Sequence, residues 1–435
     1  QTMNIKLVVI AGLSMSAAAL CAPGVMLQAK AETAHLKPDP ICVPVGVNLQ
    51  LGLTGAKFKG AGVWSDNTDI VDASESGVLT GKKVGETKVH IGTAGEKHSW
   101  GDTHVKVASN WADCAATFKA DTPPKVITTS DTTSFKFTFM SDPQGDSAKI
   151  VNSKTVNHEF AKWFAKQMGT EEKPRFILVG GDLANYGSDS HLWIDDTVDN
   201  LKNSDGKSVV GAMPIYCAIG NHDLVNNALG YYKQDMQDGW SKVWSDHYVK
   251  KGGAAWPTTG PEDLSNKGLS YAFVYANSLF IVIDSYYLWG NAEFHAHSSD
   301  HGMLEEIDAK QLAWVAWLSS WTKKDVSAKA IKHIFLVTHP PLLTEDHPNN
   351  SQLKQIMAGN PLFDALFAGH RHRLDLSQVA LPSGSVYQLI NGTASGDSED
   401  HSYLRVEVAG GKVTVTAVHK TKDGPVAKES VTWTK

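Results

Sequence analysis

The 435-residue chain is poor in three things, and each shortage removes a class of protein. No apolar stretch is long enough to cross a bilayer: the N-terminal one, Leu7 to Leu20, has 14 residues, against the ~20 that a spanning helix needs. Cysteine is scarce. Four residues cannot build a disulfide-dense scaffold, and their spacing is not that of a thiolate zinc cage. There is no long basic run and the formal net charge is −6, which argues against a protein that grips nucleic acid chiefly through phosphates. No internal repeat or low-complexity block is present either. What remains is ordinary globular material, 42% hydrophobic and 20% charged, with length for two or three domains.

Residues 1–31 read as a secretory leader, with an uncleaved anchor as the alternative. Lys6 supplies the positive end, Leu7 to Leu20 the apolar stretch, and Ala29 and Ala31 the small residues that a signal peptidase reads. Cleavage after Ala31 would leave Glu32 at the mature N-terminus of an exported, periplasmic or extracellular protein. Cys21 follows Leu20, not a small residue, so lipid attachment is not expected. In an oxidising compartment Cys42 and Cys114 are candidates to pair, because they bracket one candidate domain. Closing so long a loop is worth about 4 kcal/mol in the chain-entropy view. Cys217 lies inside an apolar run and reads as a small core residue.

The mature chain divides by pattern. Residues 38–110 show short alternating strands broken by turn residues: Val47, Leu49 and Leu51, then Val63-Trp64-Ser65-Asp66-Asn67, Gly77-Val78-Leu79-Thr80-Gly81, Val84-Gly85, and Thr87, Val89 and Ile91. This segment resembles a bacterial Ig-like domain of group 2. The resemblance implies a small all-β sandwich serving as a spacer, or as a module for cell-surface or polysaccharide contact. Residues 111–134, with Pro123-Pro124 and many Ser and Thr, read as a linker. From 135 to 435 strands alternate with helices. Phe135, Phe137 and Phe139 alternate along a strand; Phe160, Trp163, Phe164 and Met168 fall at helical spacing, as do Trp314, Trp317, Leu318 and Trp321. Tyr403 to Val408 and Val413 to Val418 flank a Gly410-Gly411 turn as a hairpin. The two units are expected to fold separately, the first being dispensable for catalysis.

Five apolar runs in the second unit each end on polar residues: Asp142-Pro143-Gln144, Gly181-Asp182, Gly220-Asn221-His222-Asp223, His339, and Gly369-His370-Arg371-His372. In open α/β sheets such residues meet beyond the carboxyl ends of the strands. Glycines beside them let the backbone turn away sharply. Mixed carboxylate, imidazole and amide ligands suit borderline divalent ions such as Mn, Zn or Fe. In this order the motifs resemble those of the calcineurin-like metallophosphoesterase family, over roughly residues 135–420. The resemblance implies an α/β fold, a sandwich of two β-sheets flanked by helices. It implies that Asp142, Gln144, Asp182 and His372 bind one divalent ion, and that Asp182 bridges to a second held by Asn221, His339 and His370. It further implies a two-metal-activated hydroxide, with His222 as general acid and Asp223 orienting its ring.

Gln144 departs from the family's usual His and is a neutral, weaker ligand. Asn185 stands where purple acid phosphatases carry Tyr, and Tyr186 comes one residue too late, so a coloured iron–tyrosinate site is not expected. The leading reading is a secreted metal-dependent phosphoesterase acting on phosphomonoesters or small phosphodiesters. Two others stay open. One is a phosphodiesterase for cyclic nucleotides, lipid headgroups or nucleic acid; the other is a surface-binding protein on a degenerate phosphoesterase scaffold. Aromatics between 224 and 268 (Tyr231, Tyr232, Trp240, Trp244, Trp256) could wall a pocket. Leu279 to Ile283 reads as a further strand ending on Asp284-Ser285. His295, His297 and His301 could touch substrate or an extra ion, but in a polar loop they read as solvated.

Overall fold

The computed structural model describes residues 41–51, 61–93, 95, 98–117, 123–127, 129–145, 156–224, 246, 250, 270–286, 307–324, 330–345, 349–395 and 400–435. The leader with its cleavage point, Tyr231, Tyr232, Trp240, Trp244, Trp256, and the three histidines His295, His297 and His301 lie outside the described residues. No helix among the described residues is long and apolar enough to cross a membrane.

Two sheets face each other across an aromatic core. One has the order β11 (Ile215–Cys217), β10 (Ile177–Val179), β9 (Ser134–Met140), β18 (Ser402–Ala409), β19 (Lys412–Thr421) and β20 (Gly424–Thr434). Its first three strands are mutually parallel, and the rest form the expected hairpin and one further antiparallel strand. The other sheet has the order β16 (Leu374–Ala380), β17 (Ser385–Asn391), β15 (Phe363–Ala368), β14 (His333–Val337), β13 (Ser278–Val282), β12 (Tyr271–Tyr275) and β8 (Lys125–Ile127). Here β13, β14, β15 and β17 run parallel.

Alternation decides which side chain enters which layer. Phe135, Phe137 and Phe139 of β9, with Phe280, Phe335 and Phe367 from the facing sheet, fill the space between the sheets. Phe137 stacks on Phe176 at 5.2 Å and meets Phe280 edge-on at 5.2 Å, the geometries that aromatic quadrupoles favour. The intervening residues point outward. Ile177 and Val179 pack under α2 (His158–Gln167) and α3 (Ser190–Asn200). Ile281, Ile334 and Leu336 join the opposite layer with α4 (Ala309–Lys324) and α5 (Asn350–Ala358). Burial on both faces is why these strands read as continuous apolar runs.

Residues 41–108 are strand-rich and form two small sheets: β1 (Ile41–Pro44), β7 (His98–Ala108), β6 (Gly85–Thr93) and β3 (Ala61–Ser65) in one, β2 (Asn48–Gln50), β5 (Val78–Gly81) and β4 (Val71–Ala73) in the other. The stretch 111–134, expected as a linker, is partly built into the fold. Trp111–Thr117 is a helix, α1, carrying Cys114, which is disulfide-bonded to Cys42 with Cα atoms 5.5 Å apart. β8 pairs in parallel with β12 at the edge of the seven-stranded sheet. Cys217 is buried and free.

The first unit is also not separate. Ile41, Val43, Trp111 and Cys114 share one apolar cluster with Leu312, Val315 and Leu318 of α4 and Leu353 and Ile356 of α5. Both β1 and α1 lie against α4. Asn349, just before α5, accepts the Gln50 N–H at 3.0 Å and donates to the Gln50 carbonyl at 3.4 Å, so one amide mimics a pairing strand for β2. The packing gives a physical reason to expect that the units depend on each other: the outer face of α4 is apolar and the N-terminal unit covers it. Exposing even a few such side chains costs about 1.5–3 kcal/mol each. A protein beginning at Thr122 should be poorly soluble or melt roughly 10 °C lower by circular dichroism. Unchanged melting would show that the units are independent after all.

Candidate metal centre

Because β9, β10 and β11 are parallel in one sheet, and β14 and β15 in the other, their carboxyl ends deliver the polar residues to one edge of the sandwich. The chain has to turn hard there. Asp142 (φ 59°), Asp182 (φ 55°), His370 (φ 67°) and His372 (φ 43°) all take left-handed backbone angles, which cost a non-glycine residue about 1–2 kcal/mol each. The glycines alongside have another task, with Gly181 (φ 98°) alone of the motif glycines left-handed. A Cβ on Gly220 would stand 2.1 Å from Asp182 Oδ1, and one on Gly369 would stand 2.2 Å from Asp142 Oδ2. They allow close approach of strand ends; the ligands themselves carry the strained turns.

Reciprocal hydrogen bonds hold those turns. Both Asp142 oxygens accept the His370 N–H at 2.9 Å, and the Asp142 N–H donates to the Gly181 carbonyl at 3.0 Å. Asp182 Oδ1 accepts the His222 N–H at 2.8 Å. The Gly369 N–H donates to the His339 carbonyl at 2.8 Å. Each strand end is thus tied to a neighbour by backbone donors, not only by side-chain packing.

The expected ligands converge. Asp182, His339 and His370 present ligand atoms that all lie within 4.8 Å of one another. His339 Nδ1 donates to the Gly180 carbonyl at 2.6 Å, which turns Nε2 to 3.0 Å from Asp182 Oδ2 and 3.8 Å from Asp142 Oδ1. His372 Nε2 lies 3.5 Å from Asp142 Oδ1. With its carboxamide oxygen toward His372 Nε2 at 3.1 Å, Gln144 points its nitrogen at Asp182 Oδ2, also at 3.1 Å. The buried His339 Nε2 faces only carboxylate oxygens, and Asn221 Oδ1 is buried without a hydrogen-bond partner. Buried polar atoms are seldom left so. Two lone-pair donors aimed beside a shared carboxylate fit a divalent cation, and the oxygen and imidazole set fits Mn, Zn or Fe.

The electrostatics ask for the same thing. Burial opposes the charge on Asp182, but His339, His222 and His370 outweigh it and hold the carboxyl well below its usual range. Burial likewise opposes protonation of His339, yet Asp182 and Asp142 push it up to about 10. His372 moves up as well, burial again being overcome by Asp142. The carboxylates draw positive charge to this point, and a cation that takes the imidazole lone pairs meets that demand while releasing protons.

One expectation changes. Asp223 does not orient the His222 ring. Its Oδ2 accepts the N–H groups of Asp182 (2.8 Å) and Gly220 (2.9 Å), and its Oδ1 accepts the Leu183 N–H and the Ser190 hydroxyl, both at 3.0 Å. It is a buried staple between the β10 and β11 turns. Burial and the charge of Asp182 push its carboxyl up to about 6, against the pull of the Gly220 and Leu183 donors. The His222 ring is oriented instead by the Asn185 carbonyl, which accepts from Nδ1 at 3.0 Å. Sequence reasoning used position 185 only to exclude a tyrosine ligand. Its place three residues after Asp182, in the same turn, was the available clue. Asp284 and Ser285, at the end of β13, are buried and held internally: Gln311 binds the Asp284 backbone, and Ser285 bonds Thr338 beside His339.

Gly220→Ala isolates the close approach. The added methyl must displace Asp182, so the variant should keep its circular-dichroism spectrum yet bind Mn²⁺ at least ~10-fold more weakly by calorimetric titration. Binding equal to the unmodified protein would mean that Asp182 does not need its observed position.

Against proteins of known family, residues 135–374, more than half of the chain, match the calcineurin-like phosphoesterase model. Among solved structures, a dimetal phosphatase from Danio rerio is similar over 69% of this chain and 99% of its own, at 13% identity and a TM-score of 0.47. PhoD is similar over 82% of this chain and 77% of its own, at 11% identity and 0.46. Vps29 from Entamoeba histolytica is similar over 68% of this chain and 99% of its own, at 11% identity and 0.31. No curated protein matches. The length of the family match, together with the ligands gathered at the strand ends, makes this chain a member of the calcineurin-like phosphoesterases, hydrolases that act on phosphoester bonds with the help of divalent metal.

Proposed function

We propose that the protein is an exported phosphoesterase using two divalent ions against phosphomonoesters or small phosphodiesters. Asp142, Gln144, Asp182 and His372 would hold one ion, and Asn221, His339 and His370 the other, with Asp182 shared. The observation that carries this reading is the buried pair of candidate ligand atoms in the turns that flank the Asp182 carboxylate: Asn221 Oδ1, without a hydrogen-bond partner, and His339 Nε2, which faces only carboxylate oxygens. Bound there, divalent ions supply charge neutralisation at the ester oxygens and lower the pKa of water.

The protein's own part is positioning and proton delivery. His222 has Nδ1 fixed on the Asn185 carbonyl and its backbone N–H on Asp182. Its Nε2 is then the atom that can hand a proton to a leaving oxygen. The ring is half-buried, so a substrate oxygen can reach it. The net charge of −6 favours small esters over nucleic acid. Export is supported by the leader-like N-terminus and by the Cys42–Cys114 disulfide, a bond of oxidising compartments. The two small sheets of residues 41–108 are compatible with the Ig-like resemblance of that segment.

Leaving-group dependence tests the assignment of His222. An alkoxide needs a proton as the P–O bond breaks, whereas a nitrophenolate departs almost unaided. His222→Ala with metal retained should lose roughly 10²–10⁴ in single-turnover rate on an alkyl phosphate and much less on a nitrophenyl phosphate. Asn185 acts through its backbone, so its own side-chain variants should leave that ratio intact. Equal losses on both esters would remove His222 from the proton-transfer role.

A further inference from the structure

Resting on that metal assignment, we infer that Arg371 and Glu345 form a positioning clamp that sets the two histidines of the Gly369–His372 turn toward the metals. Arg371 is the residue between His370 and His372, both of which hold left-handed backbone angles. Such angles persist only where the surroundings over-determine them. Backbone bonds secure the start of the turn: Gly369 N–H to the His339 carbonyl, and His370 N–H to Asp142. The side chain of Arg371 secures the middle. Its Nε donates to Glu345 Oε1 at 2.5 Å and its Nη2 to Oε2, a two-pronged contact that fixes the guanidinium in plane.

Glu345 is itself held. Asn350 Nδ2 donates to its carbonyl at 2.7 Å. The loop leading to it from His339 is fastened to β17, where Gln388 accepts the Leu343 N–H at 2.8 Å and donates to the Thr344 hydroxyl. The clamp therefore joins the turn after β14, which carries His339, to the turn after β15, which carries His370 and His372. The pair is partly exposed, 39% for Arg371 and 21% for Glu345. An exposed ion pair adds little to global stability, so its effect should be on ligand placement and not on folding.

The test is Mn²⁺ titration of the full protein by calorimetry, with melting temperature and steady-state kinetics in parallel, on Arg371→Ala, Glu345→Ala, the double variant and Arg371→Lys. Both single variants should bind Mn²⁺ about 10–100-fold more weakly, the usual effect of losing a group that orients a metal ligand. Melting should be nearly unchanged. The double variant should be no worse than either single one, because the two act as one unit. Arg371→Lys, which keeps one of the two contacts, should recover part of the affinity. Wild-type Mn²⁺ binding in Glu345→Ala overturns the clamp. A raised KM in Arg371→Ala with Mn²⁺ binding intact also overturns it, making Arg371 a phosphate contact. Failure of the unmodified protein to bind Mn²⁺ or Zn²⁺ would instead sink the metal reading itself, and the two failures are told apart by that control.

Discussion

The structure turns on a buried negative charge. Asp142 and Asp182 are both fully or almost fully withdrawn from water at adjacent strand ends. Burying unpaired carboxylates costs several kcal/mol each, and left-handed backbone at both positions adds to that. The compensation is local and dense. Backbone N–H groups of His370 and His222 solvate the two carboxylates, and the imidazole of His339 is drawn to them. The fold thereby keeps the Asp182 carboxylate charged. It makes sense as a preformed receptor for positive charge, and the rigid sandwich exists to keep it from relaxing.

The N-terminal unit packs on α4 and α5. Asn349, just before α5, grips both backbone groups of Gln50 in β2, and Asn350 donates to the Glu345 carbonyl. Gln352, within α5, donates to the Asn48 carbonyl. Asn349 also takes a left-handed angle, φ 65°, strain that its contact with Gln50 and its bond to the Ile307 carbonyl help to hold. A region that resembles a detachable module in sequence thus holds the start of α5. Covering the apolar face of α4 and holding the start of α5 are two results of the same packing.

Much of this was legible in the sequence, because its causes are local and periodic. The phenylalanine alternation in β9 marks a strand facing a core, and polar residues at the ends of five apolar runs mark one functional edge. Cys42 and Cys114 bracket the unit that their disulfide closes. What failed had no periodic trace. Pro123-Pro124 and the serines and threonines around them look like a linker, yet strand pairing takes in Lys125–Ile127. Asp223 beside His222 looks like its partner because it is adjacent. The 3₁₀ turn that carries them sends its carboxylate back to the β10 turn while the ring finds the Asn185 carbonyl. Adjacency in sequence predicts little once a chain reverses direction within three residues.

Gln144 is the departure whose meaning the geometry sharpens. An imidazole at that place would have to lose a proton before it could bind a cation, and the nearby carboxylates would hold that proton. Those carboxylates already do so at His339 and His372. An amide has no proton to lose: its oxygen keeps a lone pair to offer at every pH, and its nitrogen can meanwhile steady Asp182. The exchange gives up ligand strength and removes one proton from the competition with metal. In a site where two carboxylates raise the basicity of His339 and His372, a neutral ligand is therefore a coherent choice and not a sign of decay.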